Sequence, residues 1–361
     1  MRNFIALREP GFMLVSKMSR INQQTLAREL NLSQTTVSRS LANHPAINAE
    51  TKALVLETAA KLGYSQPMRP VRSEEAGDPT TVCGVLITMP KAFSGPWETF
   101  QEVLRGIAER SARLDTILDV VYHDPSDIDA KSLFRRIRSA KWKGVIQIYP
   151  VAEETAARIA NRIASVSIIE KYPDLRIDSI DVDQSDAIQQ NILHLYAHGH
   201  RRIGFFTWQY SVKAPWVLHR FGAYVEGLYR TGLTFDPGRV VNLAPAPAID
   251  PEAAALQAAA LIRDGVTAFV CAADHQAYRL INDLRGLGFS VPDEVSITGF
   301  DGVDPDPGQP QLTTVAVPYA ELGRSATYQL LRRMEQPAAP RRHIIVDGKF
   351  IPGETVSTPA R

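Results

Sequence analysis

From residue 81 onward, near-continuous apolar runs alternate with segments whose apolar residues recur every three or four positions. The runs predict strands at 82–88, 117–121, 144–149, 165–169, 203–207, 268–272 and 295–299. The periodic segments predict helices over 97–113, 127–140, 152–162, 185–198, 217–231, 251–264, 275–287 and 319–335. Strands that are apolar on both faces and alternate with amphipathic helices belong to parallel sheets covered on both sides. The fold class expected for 81–361 is therefore an α/β body, and its length fits two doubly wound parallel-sheet subdomains.

A different pattern precedes it. Leu26, Ala27, Leu30, Leu32, Val37 and Leu41 are spaced so that two short helices bury one common face. Asn31 suits the left-handed conformation that ends a helix, and Ser33 is a good cap for the next one. Gln34, Thr35, Ser38 and Arg39 stay off the buried face. A third helix, about 49–62, follows the capping residue Asn48, carries Leu54, Val55, Ala59 and Leu62 on one side, and stops at Gly63. An ordinary helical hairpin would bury the same apolar set. The polar, almost acid-free exposed face instead favours a helix-turn-helix whose second helix meets base edges in the major groove. The head is placed at 18–64. Residues 65–80 lose all periodicity and contain three prolines, so they predict a linker. Residues 1–17 read as a disordered arm or as an over-called start, with initiation at Met13 or Met18.

Charge sharpens this division. The whole chain carries a net charge of +1, but residues 1–72 hold ten Lys/Arg against four Asp/Glu. A small basic end on a mildly acidic body suits a nucleic-acid reader joined to a separate sensing part. Cys83 and Cys271 lie in apolar runs with no second ligand nearby and read as buried small hydrophobes in a reducing compartment. No apolar stretch reaches membrane-span length, and residues 1–17 are broken by Arg8, Glu9 and Pro10. A cytoplasmic protein without membrane contact is expected.

In doubly wound folds, ligands bind outside the carboxyl ends of the strands. Those ends supply Lys91 and Trp97, then Trp208 and Tyr210, then Asp274 and finally Asp301, with Arg220 opening the helix after the Trp208 loop. Aromatic planes with a forked guanidinium and two carboxylates suit a polyhydroxylated ligand. Lys91 leaves an anionic ligand open. Each also has a plainer reading, as a surface ion pair for Arg220, a turn for Asp301 and core packing for the tryptophans. His194 and His198 stand four apart, but no Glu lies between them, and neither a metal nor another cofactor is expected. There is no phosphate-cradling Gly-rich loop, G-x-S-x-G or H-E-x-x-H, so an enzyme is not expected.

The segment 22–64, with its Ser33-Gln34-Thr35-Thr36-Val37-Ser38-Arg39 core and closing Gly63-Tyr64, resembles the head of the LacI/GalR family of bacterial repressors. The resemblance continues through FQEVLRGIA (100–108), DSIDVD (178–183), HGHRRIGF (198–205), CAAD (271–274), VPDEVSITGFD (291–301) and PQLTTV (310–315). It implies a homodimer, or a tetramer built from such dimers, that reads a near-palindromic operator. Gln34 and Thr35 would discriminate bases, Arg39 would contact bases or phosphates, and Ser33, Thr36, Asn48 and Thr51 would position on phosphates. The body would resemble periplasmic sugar-binding proteins, with a sugar or sugar derivative bound in the cleft. Its N-subdomain would comprise about 81–178 and 313–337, and its C-subdomain about 179–312 and 338–361. Arg220 and Asp301 match the family's recurrent effector contacts, and Asp274 matches the acid of its Asn-Asp pair.

Two departures bear on the ligand: Ala273 replaces the usual Asn before Asp274, and Gln184 replaces the usual Asn after Asp183. A third bears on the join between head and body. Where the family carries a leucine-bearing hinge helix, this chain has Met68-Arg69-Pro70-Val71-Arg72. Pro70 biases Arg69 toward an extended conformation. Arg69 and Arg72 are therefore expected to follow the DNA as an extended arm, with Met68 or Val71 as the wedge candidate.

Overall fold

The computed structural model describes residues 22–41, 44, 46–62, 64, 81–88, 98–112, 114, 116–125, 127, 129–210 and 214–359. The N-terminal extension, Gly63, the linker with Arg69 and Arg72, and the candidates Lys91 and Trp97 lie outside these residues.

The head is three helices, α1 (Gln23–Glu29), α2 (Gln34–Leu41) and α3 (Ala49–Lys61). Leu26, Ala27, Val37, Leu41, Val55 and Ala59 are buried, whereas Leu54 and Leu62, expected on the same side of α3, are exposed. Asn31 takes φ +52°, which turns the chain between α1 and α2.

Two sheets follow. The first is built from β1 (Thr81–Thr88), α4 (Glu98–Ser111), β2 (Thr116–His123), α5 (Lys131–Ser139), β3 (Gly144–Ile148), α6 (Glu153–Ala160), β4 (Ala164–Ile168) and β5 (Asp178–Val182). The second is built from α7 (Gln184–Ala197), β6 (Ile203–Phe206), α8 (Pro215–Arg230), β7 (Val240–Val241), α9 (Pro251–Arg263), β8 (Ala268–Cys271), α10 (Asp274–Gly286) and β9 (Ser296–Thr298). The chain then returns through β10 (Thr314–Ala316), α11 (Tyr319–Glu335), β11 (His343–Val346) and β12 (Lys349–Ile351). Helix α3 of the head lies along α4 and the edge strand β2.

The first sheet runs β11-β5-β4-β3-β1-β2 and the second β7-β6-β8-β9, each parallel throughout. The body is thus two parallel α/β subdomains. Strand order reverses between β1 and β3 in one sheet and between β6 and β8 in the other, and the crevices at such reversals are where this architecture binds ligands. Helices α4 and α11 cover one face of the first sheet at a close crossing. A Cβ on Gly106 would strike the Ala320 backbone, and one on Gly323 the Val103 carbonyl.

The strand pairing revises the expected subdomain boundaries. Residues 179–182 pair with β4 and β11, and 343–346 pair with β5, so both segments belong to the first subdomain. The crossing after β5 therefore falls at Asp183, whose side chain caps α7 by accepting from Asp186 N at 2.9 Å. Return strand β10 joins the second sheet through bridges Thr298–Thr313 and Asp301–Ala316, and pairs antiparallel with β12. The short, half-exposed β11 and β12 lack the apolar run that marks a central strand, so periodicity alone passes over them.

A buried ion pair fastens α11 to β5. Asp178 Oδ1 and Oδ2 accept from Arg333 Nη2 and Nε at 2.6 and 2.9 Å, and Oδ2 accepts from Gln329 at 2.7 Å. Burial alone would raise the Asp178 pKa, but these bonds and the one from Arg342 N outweigh it and hold the carboxyl below its ordinary value.

Candidate reading head and ligand cleft

The head's caps explain its geometry. Ser33 Oγ accepts from Thr36 N at 3.0 Å and shares a hydrogen bond with Thr36 Oγ1 at 2.8 Å, which starts α2. Asn48 Oδ1 accepts from Thr51 N at 2.7 Å and starts α3. Ser33, Thr36, Asn48 and Thr51 are thus the first residues of two helices, whose amino ends carry partial positive charge. Val37, Ser40 and Leu41 turn inward, which leaves Gln34, Thr35, Ser38 and Arg39 exposed together on α2. The first turn of α2 contains no acid. This exposed face offers amide, hydroxyl and guanidinium groups and no negative charge, as a DNA-facing surface requires.

In the body, Arg220 on α8 is 4% exposed and reaches across the ends of the second sheet. Its Nη1 donates to the carbonyl of Ala272 after β8 and lies 3.5 Å from Asp301 Oδ1. Its Nε donates to Gln184 Oε1 at 2.8 Å. The guanidinium sits over the Phe300 ring at 3.5 Å and the Trp216 ring at 4.4 Å. Stacking, ion pairing and forked hydrogen bonds all exploit its planarity. Trp216 is therefore largely core, and its working face is the one on Arg220.

Asp301 also accepts from the Tyr319 hydroxyl at 2.9 Å, and Tyr319 opens α11 on the first subdomain. Asp301 holds φ at +137°, which is uncommon for a residue with a side chain. Backbone strain of this kind costs about 1–3 kcal/mol and recurs at functional sites. On the other side, Asp181 of β5 accepts from Gln184 Nε2 at 3.0 Å. A polar chain thus runs from Asp181 through Gln184, Arg220 and Asp301 to Tyr319. It begins and ends on the first subdomain and passes through the second.

Asp274 is placed differently from the expectation that it faces the ligand. Its carboxylate is fully buried and accepts from Gly302 N, Val303 N and Thr314 Oγ1 at 2.7, 2.8 and 2.6 Å. Gly299 permits the approach, because a Cβ there would collide with Asp274 Oδ1. Asp274 therefore ties α10 to the loop that carries Asp301, and it shapes the wall from behind. Burial and then the neighbouring Asp301 charge push its pKa up.

Trp208 and Tyr210 both line a cavity formed chiefly by loops at the strand ends of the second subdomain, with Glu170 of the first at its edge. Tyr210 accepts from Gln276 Nε2 at 2.6 Å, and its hydroxyl lies 2.9 Å from His275 Nε2. Strand-end reasoning missed Tyr149, Tyr319, His275 and Gln276. The apolar run places Tyr149 inside β3, yet its φ of +68° turns the chain out of the strand, and its ring lies 4.9 Å from Phe100. Periodicity places Tyr319 only as the first residue of a helix, which it is. Its position directly after Val317-Pro318, at the end of a return strand, was the available signal.

A second cavity of about 1080 Å³ opens between α4 and the start of α11 on one subdomain and α10 and the loop after β9 on the other. Asp301 and Tyr319 line it. Among the described residues no group of three or more His, Cys, Asp or Glu is arranged to hold a metal. His198 Nδ1 lies 2.8 Å from the His194 carbonyl. Among the described residues no helix is long and apolar enough to cross a membrane.

Burial pushes the Asp181 carboxyl up to about 6, against the hydrogen bonds from Gln184 and Val182 N. The folded chain then keeps that proton to higher pH than the unfolded chain, which releases it near ~3.9. In this window the folded state binds more protons, so this residue makes stability fall as pH rises from about 4 to about 6. Asp181→Asn, which keeps the accepting oxygen, is expected to remove that part of the decline in urea unfolding. An unchanged pH slope would show that Asp181 titrates normally.

A helix-turn-helix head with a body of two parallel α/β subdomains around a polar cleft defines a one-chain DNA-binding regulator with a binding-protein-like body. Comparison with known proteins agrees. Residues 192–356 match the periplasmic binding protein-like domain family. The transcriptional repressor CytR of Escherichia coli (strain K12) is 27% identical, over 86% of this chain and 89% of its own length. The lac repressor dimer bound to operator and the anti-inducer ONPF superposes with a TM-score of 0.64, at 20% identity, covering 95% of this chain and all of that one. A ribose-bound LacI-family regulator from Enterococcus faecium gives 0.63 at 20% identity, covering 77% of this chain and all of its own. Along most of its length the chain is similar to LacI-family helix-turn-helix transcriptional regulators, and residues 192–356 match a periplasmic binding protein-like domain. These relatives are transcriptional regulators rather than enzymes.

Proposed function

We propose that this regulator is a cytoplasmic repressor that binds a near-palindromic operator as a homodimer, and that a carbohydrate-like effector in the cleft controls its affinity. The observation that carries this reading is the Arg220 centre. It is a buried, stacked guanidinium paired with a strained Asp301, joined by hydrogen bonds to both subdomains. Hydroxyl pairs on a sugar fit a carboxylate and a guanidinium fork together. A ligand there would touch groups whose partners lie on two bodies, so its differential affinity for their two arrangements would shift one against the other. In the head, Gln34, Thr35, Ser38 and Arg39 read bases, while Ser33, Thr36, Asn48 and Thr51 position on phosphates. Arg69 and Arg72 follow the DNA as an arm, and Lys91, Trp97, Trp208 and Tyr210 complete the ligand's surroundings.

Relatives support the ligand class. One solved regulator holds ribose and another, CelR, cellobiose. The test is selection of a site from random duplex DNA by the purified chain, followed by titration of that complex with sugars, sugar acids and nucleosides. Enrichment of a near-palindrome and a change in its affinity with one ligand are expected. A ligand that raises the melting temperature while leaving DNA affinity untouched would reduce the chain to a binding protein.

A further inference from the structure

Edge strand β2 is covered in part by a helix from outside the body. A Cβ on Gly144 of β3 would meet Leu330 and Met334 of α11. The strand register then sets Val85 and Ile87 of β1, and Leu118, Val120 and Tyr122 of β2, on that same side of the sheet. A parallel sheet of this kind is covered on both faces. Helix α11 packs on β3, β4 and β5, and α4 stands beside it. Over β2, next to α4, the layer is completed by α3 of the head. Leu118 is 1% exposed, and with Val120 and Tyr122 it belongs to the same apolar cluster as Leu26, Val37, Val55 and Ala59 of the head. Lifting α3 away would return this face of β2 to water, which the hydrophobic effect opposes.

This docking leaves the reading face open, since Gln34, Thr35, Ser38 and Arg39 of α2 stay exposed. On another flank α4 supplies Gln101, Glu102 and Arg105 to the cavity of about 1080 Å³ that Asp301 and Tyr319 also line. Its Gly106 crosses α11 so closely that a Cβ would strike the Ala320 backbone. One helix therefore touches the head on one side and the cleft on another. The linker is a poorer guide for the head, because Pro67 and Pro70 disfavour a helix at its start.

We propose that the head is docked on the body rather than tethered to it: α3 serves as the third helix of the first subdomain's cover, and its contact with α4 and β2, rather than the linker, sets the direction in which α2 faces. A head held in this way moves with the first subdomain.

The test uses the full chain without DNA, labelled with a fluorophore on Glu29→Cys. Glu29 is exposed on α1, and the native Cys83 and Cys271 are both buried. In time-resolved anisotropy a docked head is expected to decay only with the slow tumbling of the whole molecule, whereas a tethered head adds a fast component. A Gly-Ser-Gly-Ser insert between Gly77 and Asp78 lengthens a flexible tether but leaves the contact intact, so the decay is expected to stay slow. Val120→Lys puts a charge into the contact and is expected to bring out the fast component, with circular dichroism to show that it folds. A fast component in the unsubstituted head, one created by the insert, or its absence in folded Val120→Lys overturns the docking. The insert decides the question even where Val120→Lys does not fold. A second arm rests on the DNA-reading assignment above. On the duplex that the chain selects from random DNA, Val120→Lys is expected to bind about tenfold more weakly with unchanged base preference, because a freed head must be ordered on binding. Equal affinity overturns the orienting role. Failure to select any duplex overturns the DNA-reading assignment, while the anisotropy still decides the docking.

Discussion

Arg220→Ala is expected to weaken effector binding by about 30-fold or more while operator binding without effector stays intact, because truncating one partner of a buried, hydrogen-bonded charge pair costs about 2–5 kcal/mol. The reason lies in what remains. Asp301 keeps only the Tyr319 hydroxyl against its charge, and Gln184 Oε1 and the Ala272 carbonyl both lose their donor. Arg220→Lys keeps the charge but not the fork or the stacking plane over Phe300 and Trp216, so it should rescue little. The measurement is effector titration of the DNA complex, with circular dichroism to show that the variant folds. A normal effector response in Arg220→Ala would remove this residue from the ligand site.

The second large effect is expected at the other end of the chain. Replacing Gln34 and Thr35 together by Ala should cost at least about 10²-fold in preference for the operator over random DNA, since each base-reading pair is worth about 1–3 kcal/mol. Both side chains are exposed and neither supports the head's core, so the three helices should persist. Non-specific binding and its salt dependence should persist too, because these come from charge on phosphates rather than from the two substituted groups. Competition assays at two salt concentrations separate the terms. Full operator preference in the double variant would mean that α2 does not read bases.

How much of this was legible beforehand differs by element. The head was legible because its logic is local. Asn31, Ser33 and Asn48 act on backbone within three residues, and the left-handed turn and both caps occur where those residue types predicted them. The central strands of both sheets were legible because burial on two faces leaves a continuous apolar run. Strands β11 and β12 were not, since each is half exposed and has its pairing decided by residues far away in the chain. The boundary at Asp183 was missed for the same reason.

The ligand site was legible in part. Arg220 and Asp301 came from the order of strand ends and from family resemblance, and the fold brings them to 3.5 Å. Asp274 shows the limit. It stands at the end of β8 with the right charge, yet the close approach at Gly299 turns its carboxylate onto the Asp301 loop. Tyr149 and Tyr319 carried no pattern of their own, and they matter because two subdomains place them beside Asp301.

The amino-acid sequence by itself determined the class of the protein: a capped three-helix reader, a linker, and an α/β body of two parallel sheets, all set by local capping chemistry and hydrophobic period. The tertiary structure alone decided which polar groups meet. Arg220 joins Gln184, Ala272 and Asp301 across 36 to 81 positions of chain, and Trp208 and Tyr210 pack against the core on one side and line a cavity on the other. Such meetings depend on where two sheets end in space, and a hydrogen bond or a cavity wall has no periodicity for a sequence to display.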